Sequence, residues 1–178
     1  MIPLGSKAPS FNLHDVTSEK TYTLNDLASK EATVIMFICN HCPYVKHINT
    51  GLVQLAYDYQ QKGVSFIAIN SNDANNYPDD SPEKMKETAL SLGYPFPYLF
   101  DETQDIAKAY SATCTPDFFI YDGKLSLIYR GQIDGSRPGN GKPVTGKDIR
   151  LALDAHLAGQ GNSNLQQPSM GCNIKWKT

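Results

Sequence analysis

Cys39 and Cys42 stand two residues apart in the run Phe37-Ile38-Cys39-Asn40-His41-Cys42-Pro43. The apolar, β-branched stretch before them reads as a buried strand, and the residues after them as an amphipathic helix. A helix start directs unpaired N–H groups and a partial positive charge at a nearby sulfur, which favours thiolate over thiol. The thiolate is the species that attacks disulfides and peroxides. A structural zinc site wants four ligands, usually from two such pairs. The remaining cysteines, Cys114 and Cys172, are distant and unpaired, so the spacing favours a dithiol–disulfide couple. Cys42, at the helix start, is the expected nucleophile, and Cys39, at the strand end, its resolving partner.

Other groups could support that chemistry. His41, between the two thiols, either steadies the thiolate or relays a proton, or it only shapes the turn. His47, one turn past Tyr44, is expected to be solvated. Cys114 reads as a small core residue opening a strand. Cys172 lies in a polar terminus with Ile174 and the chain's single tryptophan, Trp176. Those two apolar residues are expected to anchor the terminus, with Trp176 substantially buried. Cys172 is then a possible second resolving thiol, or it pairs with Cys114, or it has no redox role. Asp73, Asp79 and Asp80 read either as ordinary turn residues or as the rim of an entrance.

The elements that must position these groups follow from periodicity. Phe11–His14 and Lys20–Leu24 alternate and predict an N-terminal hairpin. Thr33–Ile38 and Val64–Ile69 predict central strands covered on both faces. Between them Val45, Ile48, Leu52, Leu55 and Tyr59 mark one helical face, with Lys46, Asn49, Thr50 and Asp58 off it and Gly63 as the stop. A strand–helix–strand unit implies parallel strands with a right-handed crossover. After the polar loop Asn70–Asp80, Ser81-Pro82-Glu83 starts a helix that ends at Gly93. A short strand at Pro97–Phe100 and a helix at Thr103–Tyr110 follow. Asp117–Tyr121 and Leu125–Tyr129 flank Asp122-Gly123-Lys124 as a hairpin. Gly131–Gly146 reads as loop and Asp148–Leu157 as the last helix.

Composition sets outer limits. A chain of 178 residues suits one domain, here residues 1–160, with 161–178 as a tail packed on it. A formal charge of -2 and three scattered arginines (Arg130, Arg137, Arg150) leave no footprint for nucleic acid or an anionic membrane. No apolar run approaches the ~20 residues of a membrane span, and the first residues lack the pattern of a signal peptide. The expected location is the cytoplasm, where four cysteines are better explained by catalysis or metal binding than by static disulfides.

The motifs Phe37–Tyr44, Asn70-Ser71-Asn72-Asp73, Cys114-Thr115-Pro116-Asp117-Phe118-Phe119 and Gly171-Cys172-Asn173-Ile174-Lys175-Trp176 together resemble a peroxiredoxin-like branch of the alkyl hydroperoxide reductase/thiol-specific antioxidant superfamily. That resemblance implies a thioredoxin-like α/β fold: a central mixed β-sheet flanked by α-helices, with an N-terminal β-hairpin and a C-terminal tail. It implies that Pro116 is a cis-proline and that Thr115 before it presents backbone to a bound disulfide substrate. Cys42-Pro43-Tyr44 resembles a peroxidatic cysteine and its proline. Cys39 falls where peroxiredoxins carry a catalytic threonine, and their later arginine has no evident counterpart. The implied activity is thiol–disulfide oxidoreduction without a bound cofactor, drawing electrons from thioredoxin or a similar dithiol donor. Protein disulfides, or more weakly peroxides, would be the substrates. A true peroxiredoxin is the alternative enzyme. Soft-metal binding, as in copper chaperones, with Cys39, His41, Cys42 and His47 as ligands, is the alternative of another class.

Overall fold

The computed structural model of the protein describes residues 2–161 and 166–178. Residues 162–165, in the expected tail, lie outside the described residues. The frame is a seven-stranded mixed sheet in the order β2 (Thr21–Thr23), β1 (Asn12–Asp15), β5 (Tyr98–Phe100), β4 (Val64–Asn70), β3 (Ala32–Phe37), β7 (Asp117–Asp122), β8 (Leu127–Gly131). Its centre is β3 (Ala32–Phe37), buried at all six positions. It pairs in parallel with β4 (Val64–Asn70) and antiparallel with β7 (Asp117–Asp122).

The side-chain alternation of these strands feeds two separate cores. Val34, Met36 and Ile38 join Phe66, Ala68, Phe118 and Ile120 on one face. Ile35 and Phe37 join Ile67, Ile69, Phe119 and Tyr121 on the other. Helices α2 (Pro43–Gln60), α3 (Pro82–Leu92) and α5 (Lys147–Leu157) cover the first face. The short helices α1 (Leu24–Leu27) and α4 (Asp105–Ala109) lie with the second. The chain has the thioredoxin-like α/β architecture. The N-terminal hairpin, β1 (Asn12–Asp15) with β2 (Thr21–Thr23), extends the sheet by pairing β1 antiparallel to β5 (Tyr98–Phe100).

Several boundaries differ from those expected. The second strand of the late hairpin is β8 (Leu127–Gly131), two residues later than the spacing implied. Asp122 Oδ1 accepts from the N–H groups of both Lys124 and Ser126 at 2.9 Å, which extends the turn and delays pairing. Gly123 is fixed by contact, since a Cβ there would lie 2.0 Å from the Lys30 carbonyl oxygen. On α2, Asn49 is buried and accepts from the Tyr94 hydroxyl at 3.0 Å. His47 is half-buried rather than solvated, with Nε2 2.7 Å from Ser136 Oγ.

A second, two-stranded sheet was not foreseen. It pairs β6 (Cys114–Thr115) antiparallel with β9 (Cys172–Asn173), so the terminus folds back onto the domain. Its anchor differs from expectation: Ile174 is buried at 3 % exposure, whereas Trp176 is 39 % exposed. Ile174 enters the second core, while Trp176 lies on the surface with the Lys108 ammonium 5.8 Å from its ring centroid. Truncating a buried isoleucine to alanine removes about 2–5 kcal/mol of packing. Ile174→Ala is therefore expected to loosen the terminus and speed tryptic cleavage after Lys175. Unchanged cleavage kinetics would show that the terminus is held by other contacts.

Candidate active site

The site forms where β3 ends and α2 begins. β3 delivers Cys39 into the first core, and Cys42 is the residue capping α2 in extended conformation. Pro43 occupies the first helical position, where its missing N–H removes no helix bond. Both thiols are buried, Cys39 at 1 % exposure and Cys42 at 0 %. The Thr115–Pro116 peptide bond is cis and lies against them. Cys42 Sγ is 3.5 Å from the Thr115 carbonyl oxygen, and Cys39 Sγ is 3.4 Å from Thr115 Oγ1.

The terminus completes the enclosure. In the β6–β9 ladder Cys172 stands opposite Thr115, and its Sγ lies 2.7 Å from Cys42 Sγ. Gly171 permits this approach, because a Cβ at that position would fall 1.9 Å from the Thr115 carbonyl oxygen.

The two thiols of the pair are driven apart electrostatically. Cys42 is held well below the usual thiol range, first by the hydrogen bond from the Cys39 thiol and then by hydrogen bonds from the Cys172 side chain and the Val45 N–H, against the opposing effect of burial. Cys39 is driven far up as donor to Cys42, with burial and the Asp80 charge adding to the effect. Cys172 is raised by burial and by its hydrogen bond to Cys42. Cys42 is thus the sulfur that carries charge near neutral pH.

Two expectations follow from the depressed Cys42 value. Alkylation of Cys42 in the reduced protein should level off well below the ~8.5 of a free thiol. Because the shift is downward, the reduced fold should gain stability as pH rises from the depressed value to the unfolded thiol's value, and lose it as pH falls back. Alkylation that tracks an ordinary thiol titration would contradict the assigned charge.

His41 and Asp80 flank the buried side of the pair. His41 Nδ1 approaches Asp80 Oδ2 at 2.5 Å without the alignment of a hydrogen bond. The His41 ring lies parallel to that of Tyr77, with centroids 6.0 Å apart. Asp80 is wholly buried at the end of the 3₁₀ turn Pro78–Asp80. Its Oδ1 accepts from the Asn40 N–H at 2.7 Å and Asn70 Nδ2 at 3.1 Å, and its Oδ2 from Asn72 Nδ2 at 3.0 Å. Asp80 is therefore neither a simple turn residue nor part of an entrance. Asp73 is also buried, accepting from the Asn75 N–H and from Asn76 Nδ2. Asp79 contributes its carbonyl to Asn40 Nδ2 at 2.9 Å. The signal for this network is the Asn70-Ser71-Asn72-Asp73 run, in which Asn70 and Asn72 bind Asp80 and Asn72 also binds the Lys175 N–H.

Ligating atoms of Cys39, His41 and Asp80 fall within 4.8 Å of one another. His47, the other histidine of the metal reading, is turned to Ser136. Cys114 faces a separate cavity of about 350 Å³ with Asp117 and Arg130, and burial raises its thiol to about 12. Arg130 is engaged there, with Nη2 3.5 Å from Asp117 Oδ2 and 2.9 Å from the Ser111 carbonyl oxygen. Among the described residues, no helix is long and apolar enough to cross a membrane.

Comparison with known proteins bears on the family and the fold. A sequence model of the AhpC/TSA family matches residues 4–130. An uncharacterized conserved protein from Geobacillus kaustophilus has 62 % identity and a TM-score of 0.98, over 99 % of this chain and 94 % of its own. A hypothetical protein from Sinorhizobium meliloti 1021 has 46 % identity and a TM-score of 0.97, over 100 % and 97 %. A thiol:disulfide interchange protein of the thioredoxin family from Chlorobium tepidum shares the fold at 18 % identity, with a TM-score of 0.66 over 88 % and 99 %. No curated protein matches the chain.

Proposed function

Since the chain belongs to the AhpC/TSA family of thioredoxin-fold proteins, we propose that it is a thiol–disulfide oxidoreductase that cycles Cys39 and Cys42 between dithiol and disulfide. The observation that carries this reading is the burial of both sulfurs at the start of α2 against the cis Thr115–Pro116 bond. Cys42 caps α2, and its hydrogen bond with Cys39 pushes Cys42 toward thiolate and Cys39 toward thiol.

The Cys42 thiolate attacks one sulfur of a disulfide that carries the substrate's oxidising equivalents, and the other sulfur leaves as a thiol. Cys39 then attacks Cys42 Sγ, closing the Cys39–Cys42 bond and releasing the thiol bonded to Cys42. Cys39 must lose its proton for that step, and the His41–Asp80 pair beside it is the group placed to take it. Thr115 and Pro116 position the reacting sulfurs from the opposite side. Pro43 fixes the first turn of α2. A dithiol protein such as thioredoxin returns the electrons, and the proposed setting is the cytoplasm.

Protein disulfides are favoured over peroxides as substrates. The position of a peroxidase threonine is taken by Cys39, and the later arginine of peroxiredoxins has no evident counterpart in the sequence. Soft-metal binding through Cys39, His41, Cys42 and His47 is disfavoured because His47 is turned to Ser136. Coupled to a thioredoxin and its reductase, the protein should reduce a protein disulfide over many turnovers. Absence of any turnover above the thioredoxin background would refute the reading.

A further inference from the structure

Cys39 and Cys42 are closed off, with 1 % and 0 % exposure. Cys172 is only half-buried, and its sulfur touches that of Cys42. Of the three, Cys172 is the residue with surface exposure, and so the one at which an external thiol would approach in this conformation. We propose that Cys172 is a third redox-active residue, the port through which external dithiols and disulfides exchange with the enclosed Cys39–Cys42 couple. This rests on the proposed function of that couple.

The placement of Cys172 is built rather than incidental. The ladder sets it opposite Thr115, the residue whose carbonyl oxygen also faces Cys42 Sγ. Gly171 lets the strand close onto Thr115 and Pro116. Beyond Cys172, the Ile174 N–H donates to the Thr113 carbonyl at 3.1 Å. The Lys175 N–H donates to Asn72 Oδ1 at 2.8 Å, and its carbonyl accepts from the Asp73 N–H at 2.9 Å and Gln104 Nε2 at 2.8 Å. Asn72 also holds Asp80, so one side chain ties the port to the floor of the site.

During reduction by an external dithiol, the Cys172 sulfur attacks Cys42 Sγ in the Cys39–Cys42 disulfide. The Cys42–Cys172 bond forms, the Cys39–Cys42 bond breaks, and the Cys172 proton ends on Cys39. A thiolate of the donor next attacks Cys172 Sγ, and Cys42 leaves as the thiolate that its surroundings stabilise; a lower leaving-group pKa speeds this exchange. The donor's second thiol then closes its own disulfide and frees Cys172 as a thiol. Overall, one internal disulfide becomes two thiols while the donor dithiol becomes a disulfide. Substrate oxidation of the reduced enzyme runs the same steps in reverse.

The test uses the full chain, a reduced thioredoxin as the bulky donor and dithiothreitol as the small one. After oxidation with one equivalent of diamide, Cys39→Ser is expected to yield a Cys42–Cys172 disulfide on peptide mapping. Cys172→Ser, oxidised to Cys39–Cys42, should be reduced by thioredoxin at least about 10-fold more slowly than wild type, with a smaller loss for dithiothreitol. Gly171→Val retains all three thiols but cannot seat the strand, and should also show an altered ratio of thioredoxin to dithiothreitol rates. A Cys39→Ser protein that oxidises without any Cys42–Cys172 bond, or a Cys172→Ser protein reduced by thioredoxin at the wild-type rate, would overturn the port. A protein that neither forms the Cys39–Cys42 disulfide nor reduces a disulfide fails at the proposed function instead.

Discussion

Cys42→Ser is expected to abolish disulfide reduction, lowering turnover by about three orders of magnitude or more, as loss of a nucleophile does. A serine hydroxyl stays protonated near neutral pH, so the helix-end field and the Cys39 donor have no thiolate to stabilise. Cys39→Ser should behave differently. Cys42 keeps its position capping α2 and its contacts with Thr115 and Cys172, so the first attack survives while normal closure onto Cys39 cannot occur. The variant should accumulate as a Cys42 mixed disulfide, or as a bond to Cys172 where the tail is seated. Non-reducing mass spectrometry separates these species. Capture of substrate by Cys42→Ser, through Cys39, would reverse the assignment and restore attack by the first cysteine of the pair.

The second large effect is on stability. Asp80→Ala removes the acceptor for the Asn40 N–H, Asn70 Nδ2 and Asn72 Nδ2, all grouped around a fully buried carboxylate. Leaving such donors unpaired costs about 1–3 kcal/mol each before relaxation and water entry, and the effects are not additive. A net loss of about 3–5 kcal/mol is expected, comparable to breaking a buried charged pair. Urea unfolding of the protein kept reduced by excess dithiothreitol measures it, which excludes any contribution from disulfides. Asp80→Asn keeps one oxygen acceptor and should lose less. An Asp80→Ala midpoint within error of wild type would show that this network carries little of the stability.

The difference between those two sites is also the difference in what could be read from sequence. Strands β3, β4 and β7 and helix α2 were visible because their apolar residues repeat with the period of the element they form. The Cys39–Cys42 pair was visible because it interrupts that pattern at a helix start. Asp80 was not, because an aspartate in a polar loop looks the same whether it faces water or three buried amides. Its burial depends on Asn40, Asn70 and Asn72 arriving from separate segments. The β6–β9 pairing was hidden for a related reason. Two residues on each side are too few to show alternation, and the register is set by Gly171 against Thr115 across more than fifty residues of chain. Trp176 misled because bulk and apolarity suggested an anchor. The smaller Ile174 fills the core, and an indole at the surface still finds a partner in Lys108.

The most direct measurement is single-turnover oxidation of the reduced protein, comparing a protein disulfide with hydrogen peroxide at equal concentration and mapping the cysteines after each. The account expects faster loss of two thiols with the protein disulfide, ending in the Cys39–Cys42 bond. Faster oxidation by peroxide, with a sulfenic acid on Cys42 as the first product, would contradict it and identify the protein as a peroxidase.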